Sequence, residues 1–220
     1  MSRTRVKICG IKTFEHAAVA LESGANFLGF IFYPPSHRYV EPQAVGEIVA
    51  ACRARFSDAS TWSAVGVFVD ESLEVVRETC QTAGLDFAQL CGAEDKSYAD
   101  ALGLPSVRVV HVDGTGHPHG STDPLEHGAV RLLLDTKSDG QYGGTGVTYP
   151  WSAVRAVAST AFLAGGLTPA NVGEAIQTAR PWGVDVSTGV ETDRVKDPDL
   201  IRAFISEVRR VDSALDSHRR

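Results

Sequence analysis

The chain has 220 residues, 43% hydrophobic and 22% charged, with a net charge of −6. That suits one globular domain over 1–220 and argues against a general nucleic-acid binder, which usually shows a basic face. It starts without a basic-then-apolar leader, holds no apolar run of about 18 residues, and its cysteines (Cys9, Cys52, Cys80, Cys91) form no C-x-x-C pair; a cytosolic protein with reduced thiols, bound to neither membrane nor zinc, is expected.

Apolar runs of strand length alternate with amphipathic stretches. The strands are predicted at 5–11 (RVKICGI), 27–32 (FLGFIF), 63–69 (SAVGVFV), 87–92 (FAQLCG), 106–112 (SVRVVHV), 130–136 (VRLLLDT), 160–166 (TAFLAGG) and 183–187 (GVDVS). Helices are predicted at 14–24, 41–53, 71–83, 94–102, 150–158, 169–179 and 197–215. The connection 113–129 is rich in Gly, Pro, Asp and His and holds at most a short helix at 123–128. Its histidines lack the fixed scaffold and spacing of a metal site, so it reads as a flexible connection. The last five residues, DSHRR, read as frayed.

Strands joined by crossover-length segments are parallel and right-handed. Eight such units in a chain near the lower limit of about 200 residues predict the α/β class and a single-domain (β/α)8 barrel. The alternative, an open doubly wound sheet, would usually announce itself by a Gly-rich turn after the first strand, and CGIKTFEH is not that turn.

A barrel carries its site at the C-terminal ends of its strands. Lys7 and Cys9 share one face of strand one, with Cys9 at its end and Lys7 one layer below. Taken alone, Cys9 reads as a small core residue. Asp135 ends the apolar sixth strand, and Gly140, Gly143, Gly144 and Gly146 in the following loop let backbone pass close to a ligand; a cap is the bland reading. The loops after strands seven and eight offer Gly165, Gly166, Ser187, Thr188 and Gly189, the place where many barrels hold a phosphate. A phosphate there lies between strands six and one, so a sugar phosphate would reach the mouth between Asp135 and Cys9. An acid facing a base suits sugar isomerisation, which needs a proton on the ring oxygen and abstraction of a proton beside a C=N or C=O.

The blocks KICGI (7–11), GFIF (29–32), SHR (36–38), LLLDTKSDGQYGGTG (132–146), LAGGLTPANV (163–172) and GVDVSTGVE (183–191) are similar, in order and over nearly the whole chain, to the phosphoribosylanthranilate isomerases of tryptophan biosynthesis. The resemblance implies a (β/α)8 barrel and an Amadori rearrangement of N-(5-phosphoribosyl)anthranilate, with no metal or organic cofactor, in a monomer or homodimer. It implies Cys9 as general base at carbon 2, Asp135 as general acid on the ring oxygen, and Arg38 on the anthranilate carboxylate. Asp185 matches a residue near the mouth and Lys7 the lysine below the base. The chemistry leans the same way. A free thiol has a pKa of about 8.5, and both Lys7 and the phosphate-binding helix end would favour the thiolate. Asp185, on the neighbouring eighth strand, is a plausible ion-pair partner for Lys7. An arginine fork can grip a carboxylate with two parallel bonds, although a loop arginine by itself reads as solvated.

Three positions depart from the family pattern. Cys91 stands where histidine is usual, His37 where proline is usual, and Thr188 where serine is usual. Two competing functions are weighed. The histidine-pathway isomerase of the same architecture pairs aspartates, one on strand one, where this chain has Cys9. A catalytically dead, ligand-binding barrel would be expected to lose the acid or the base, and both are present.

Overall fold

The computed structural model describes residues 3–56, 61–136 and 148–217. Eight parallel strands close on themselves in sequence order: β1 (Arg5–Cys9), β2 (Phe27–Ile31), β3 (Ser63–Phe68), β4 (Phe87–Leu90), β5 (Ser106–Val112), β6 (Arg131–Thr136), β7 (Ala161–Leu163) and β8 (Gly183–Val186). Closure is made by β1 on β8, with Lys7 opposite Asp185. The (β/α)8 expectation is met, and each strand lies inside its predicted run.

The helices lie in the predicted connections: α1 (Phe14–Ser23), α2 (Pro42–Arg55), α3 (Leu73–Ala83), α4 (Lys96–Leu102), α5 (Arg155–Ala158), α6 (Val172–Ala179) and α7 (Pro198–Ser217), with a 3₁₀ turn at Pro124–His127 between β5 and β6. Their ends are set locally. Thr13, Ser72 and Asp95 cap α1, α3 and α4 through their side chains, and Gly24, Gly84 and Gly103 end the same helices in the left-handed region. α7 also ties the barrel bottom: Arg209 donates to the Thr4 and Gly24 carbonyls at 2.7 and 2.8 Å. α7 carries the chain two residues into the predicted frayed tail, to Ser217; residues 218–220 lie outside the described residues.

The connection after β5 is ordered by hydrogen bonds rather than loose. Asp113 accepts from the Thr115 and His117 amides at 2.8 and 3.0 Å, and His119 N–H reaches the His111 carbonyl at 2.7 Å. An Asp two residues before a Thr can close such a turn on itself, a signal outweighed by the Gly and Pro content.

Two apolar clusters follow from strand alternation. One fills the space between barrel and helices and holds most of the core. The other lies within the barrel and joins Val107, Val109, Leu133, Phe162 and Ala164 to Phe27, Phe87, Cys91 and Trp182. Phe27, Phe162 and Trp182 pack with ring centroids 4.9–5.8 Å apart, so the interior is a packed plug. The site sits on top of it.

Candidate active site

Lys7 is one of the largest fully buried side chains among the described residues, only 1% exposed. Its amine donates to Asp185 Oδ1 at 3.0 Å across the closure seam. The two α-carbons are register partners on adjacent parallel strands, so the pair is built into the backbone. Burial opposes the charge on Lys7, but Asp185, aided by Cys9, outweighs it and raises the lysine pKa.

Cys9 lies one layer above, opposite Gly29. A Cβ at Gly29 would fall 2.8 Å from Cys9 Sγ and 3.2 Å from Lys7 Nζ. The absent side chain makes room for thiol and amine together. Burial pushes the Cys9 pKa up; Lys7 and Lys196 pull it down, and Asp185 raises it further. Lys7 thus acts in the expected direction, but burial outweighs it and the thiol pKa is raised.

Asp135 ends β6 and pairs in register with His111. Its Oδ1 accepts the Thr136 amide at 2.8 Å. Burial, reinforced by the charge of Asp185, raises its pKa to about 7 against the weaker pull of the Thr136 amide and Lys7. Asp185 takes the Lys7 amine, while Asp135, raised to about 7, has the Thr136 amide as its hydrogen-bond partner. The glycines predicted in the following loop, Gly140, Gly143, Gly144 and Gly146, lie outside the described residues.

A single cavity of about 290 Å³ opens at this end of the barrel. Nine of the ten predicted site residues line it: Cys9, Arg38, Asp135, Gly165, Gly166, Asp185, Ser187, Thr188 and Gly189. Lys7 does not; it is roofed by the layer above and acts from beneath. The loops after β7 and β8 are pressed together. A Cβ at Gly189 would meet the Leu167 carbonyl oxygen at 1.8 Å, so only glycine fits there. Ser187 Oγ donates to the Cys9 carbonyl at 3.1 Å and fastens the eighth loop to the end of β1. A single 3₁₀ turn, Thr188–Val190, follows it.

Arg38 differs most from its sequence reading. It is neither solvated nor open-handed: its side chain is 11% exposed and its Nε–Nη2 edge grips Glu191, both contacts at 2.7 Å. Nη2 also donates to Thr188 Oγ1 at 2.9 Å. A two-bond grip on a ligand through that edge is therefore taken, and Nη1 is the end left.

Sequence reading missed several residues at the mouth. Glu191 and Lys196 form a buried ion pair at 2.6 Å, and Gln89 and His111 line the cavity. Gln89 donates to Cys91 Sγ at 3.4 Å, while its buried Oε1 has no hydrogen-bond partner among the described residues. Alternation could have found the last two, since Gln89 shares the face that Cys91 continues just past β4, and Val107, Val109 and His111 share a face of β5. Cys91, in the expected histidine's place, has its thiol pushed up to about 12 by burial, which makes it an inert wall.

No described helix is long and apolar enough to cross a membrane. All four cysteines are free.

The sequence profile of N-(5'-phosphoribosyl)anthranilate (PRA) isomerase matches residues 6–207. The chain is 41% identical over 208 residues to the N-(5'-phosphoribosyl)anthranilate isomerase of Roseiflexus sp. (strain RS-1), covering 93% of this chain and 97% of that one. Its structure is similar to that of the phosphoribosyl anthranilate isomerase of Thermus thermophilus, with a TM-score of 0.80, 32% identity, and 94% and 100% coverage. It is also similar, with a TM-score of 0.74, 32% identity, and 94% and 98% coverage, to a phosphoribosyl anthranilate isomerase in complex with reduced 1-(o-carboxyphenylamino)-1-deoxyribulose 5-phosphate. A match over almost the whole chain, on a barrel that gathers its acid, its thiol and its glycine-rich loops around one cavity, makes this chain a member of the phosphoribosylanthranilate isomerase family, isomerases of tryptophan biosynthesis.

Proposed function

We propose that this enzyme converts N-(5-phosphoribosyl)anthranilate to 1-(2-carboxyphenylamino)-1-deoxyribulose 5-phosphate with Cys9 as general base and Asp135 as general acid, the residues 1–220 acting as one domain. The observation that carries the reading is a shared cavity: the ends of β1 and β6 open into it beside the paired loops after β7 and β8. A relative solved with a reduced form of this product supports the ligand class, an anionic sugar phosphate.

Gly165, Gly166, Ser187, Thr188 and Gly189 hold the phosphate through backbone N–H groups and the Thr188 hydroxyl. Asp135, protonated below about pH 7, gives its proton to the ring oxygen. The C1–O bond breaks, the nitrogen lone pair forms C1=N, and the sugar opens as a protonated Schiff base. That new cation acidifies the proton on carbon 2 and lowers the Cys9 pKa against its burial, so that the thiol releases its own proton to solvent and becomes the thiolate. Cys9 takes the proton, the electron pair moves onto C1–C2, and the enolamine tautomerises to the ketone. Arg38 presents Nη1 to the anthranilate carboxylate. The Lys7–Asp185 pair holds the floor beneath the thiol. The reading requires no cofactor, in the cytosol, as monomer or homodimer.

The test follows anthranilate-type fluorescence after mixing with freshly made phosphoribosylanthranilate. Wild type should convert it rapidly, and Cys9→Ser and Asp135→Asn should each fail to. Full turnover by either variant overturns the role given to that residue.

A further inference from the structure

The chain between β8 and α7 holds a hairpin of two short strands, β9 (Glu191–Thr192) and β10 (Val195–Lys196), in which Glu191 and Lys196 are direct register partners. Its two-residue turn puts Asp193 and Arg194 at φ 51° and 65°. Two successive non-glycine residues in the left-handed region are costly, and the primed turn they form is the one that keeps two strand ends in register. Here it brings a carboxylate and an amine side by side, with their side chains only 4% and 2% exposed.

The Glu191 carboxylate is fully engaged. It accepts Arg38 Nε and Nη2, both at 2.7 Å, and Lys196 Nζ at 2.6 Å. Lys196 is anchored in turn to the Ser187 carbonyl at 2.9 Å, and Ser187 Oγ to the Cys9 carbonyl at 3.1 Å. Gly10 leaves the passage for the arginine stem, since a Cβ there would sit 2.6 Å from Arg38 Cδ. A flexible arginine from the loop after β2 is thus held by groups that belong to the eighth loop and to the end of β1. Of its five N–H donors, three are bonded among the described residues and the pair on Nη1 is left, at a residue that lines the cavity.

We propose that Glu191, braced by Lys196, is a positioning residue: it fixes the Arg38 guanidinium so that Nη1 meets the anthranilate carboxylate, and thereby sets recognition of that group. The inference rests on the role given to Arg38 above. Removing the Glu191 charge leaves two buried cations facing each other, and Arg38, the more exposed of the two, is the one free to turn away. Fixing a long side chain in advance also spares the binding step the loss of its rotamer freedom.

The test compares two stable ligands by calorimetry on the whole protein: the reduced product with its carboxyphenyl ring, and the same molecule with a plain phenyl ring. The ratio of their dissociation constants isolates the carboxylate, because phosphate and sugar are common to both. In wild type the ratio should be about thirtyfold, as for a charge-assisted contact. Arg38→Met should bring it to about one. Glu191→Gln, and the Glu191→Met/Lys196→Met pair, which leaves no unpaired charge on the hairpin, should each bring it below about fivefold, with the phenyl ligand bound within about twofold of wild type. A wild-type ratio near one, or one unchanged by Arg38→Met, overturns the Arg38 reading and this inference with it. A ratio lost in Arg38→Met but kept near thirtyfold in both Glu191 variants overturns the inference alone. Equal weakening of both ligands in those variants means a general structural staple and overturns it too.

Discussion

Two buried charge groups face the same cavity from different levels, and they are built in opposite ways. On the floor, Lys7 and Asp185 are strand residues paired by register across the barrel seam. On the rim, Arg38, Glu191 and Lys196 come from loops and a short hairpin, with Arg38 and Glu191 separated by 153 positions in sequence. The floor pair interacts with the Cys9 thiol and with Asp135, the groups given the proton transfers. The rim group is hydrogen-bonded to the Cys9 backbone through Ser187, and of its members Lys196 also draws the thiol pKa down, less than Lys7 does. The contrast suggests a division of labour, with the floor governing turnover and the rim governing recognition.

The sharpest way to break that division is at the base. Cys9→Ser should lower kcat roughly a thousandfold, in the range for loss of a general base, while KM moves little. A KM effect as large as the kcat effect, seen in steady-state turnover, would merge floor and rim.

Next is the cost of each buried charge. Lys7→Met strands Asp185 in the interior and should destabilise the protein by about 3–5 kcal/mol, whereas Lys7→Met/Asp185→Leu should recover most of that loss. Lys196→Met should cost less, about 1.5–2 kcal/mol, because Arg38 still neutralises Glu191. Urea unfolding of the three variants checks the order, and equal costs would contradict it.

Proton occupancy gives a third prediction. Asp135, raised to about 7, acts as an acid only while protonated, so kcat/KM should fall as pH rises through 7. The same shift has a stability sign. A carboxyl raised in the folded state adds stability that is complete below its unfolded pKa of about 3.9 and lost as pH rises through 7. Asp135→Asn should therefore melt above wild type at pH 8, with the gap closing as pH falls toward 4. A gap independent of pH would rule out the raised carboxyl.

The smallest effect marks what a solvated pair contributes. Lys96 and Asp100 lie 2.6 Å apart, four positions along α4, with both side chains about half exposed. Lys96→Ala should change stability by less than about 0.5 kcal/mol in the same urea assay.

The barrel was legible because its signals are local. Alternation within β1 put Lys7 and Cys9 on one face. Strand order made β8 the neighbour of β1, so Asp185 could be paired with Lys7 before any coordinates. The placement of Asp135 at a strand end followed from the same periodicity.

The order of strands, the face each side chain takes, and the strand ends and loops that form the mouth could be read from the chain alone, since each depends on a period of two or on the adjacency of parallel neighbours. Who holds Arg38, and that burial raises both the Cys9 thiol and the Asp135 carboxyl, came only with the closed fold. ETDRVK carries no glycine or asparagine to announce a hairpin turn, so nothing local brings Glu191 opposite Lys196 or both of them to Arg38. Charge pairing and desolvation depend on distance in space, and distance exists only once the chain has closed.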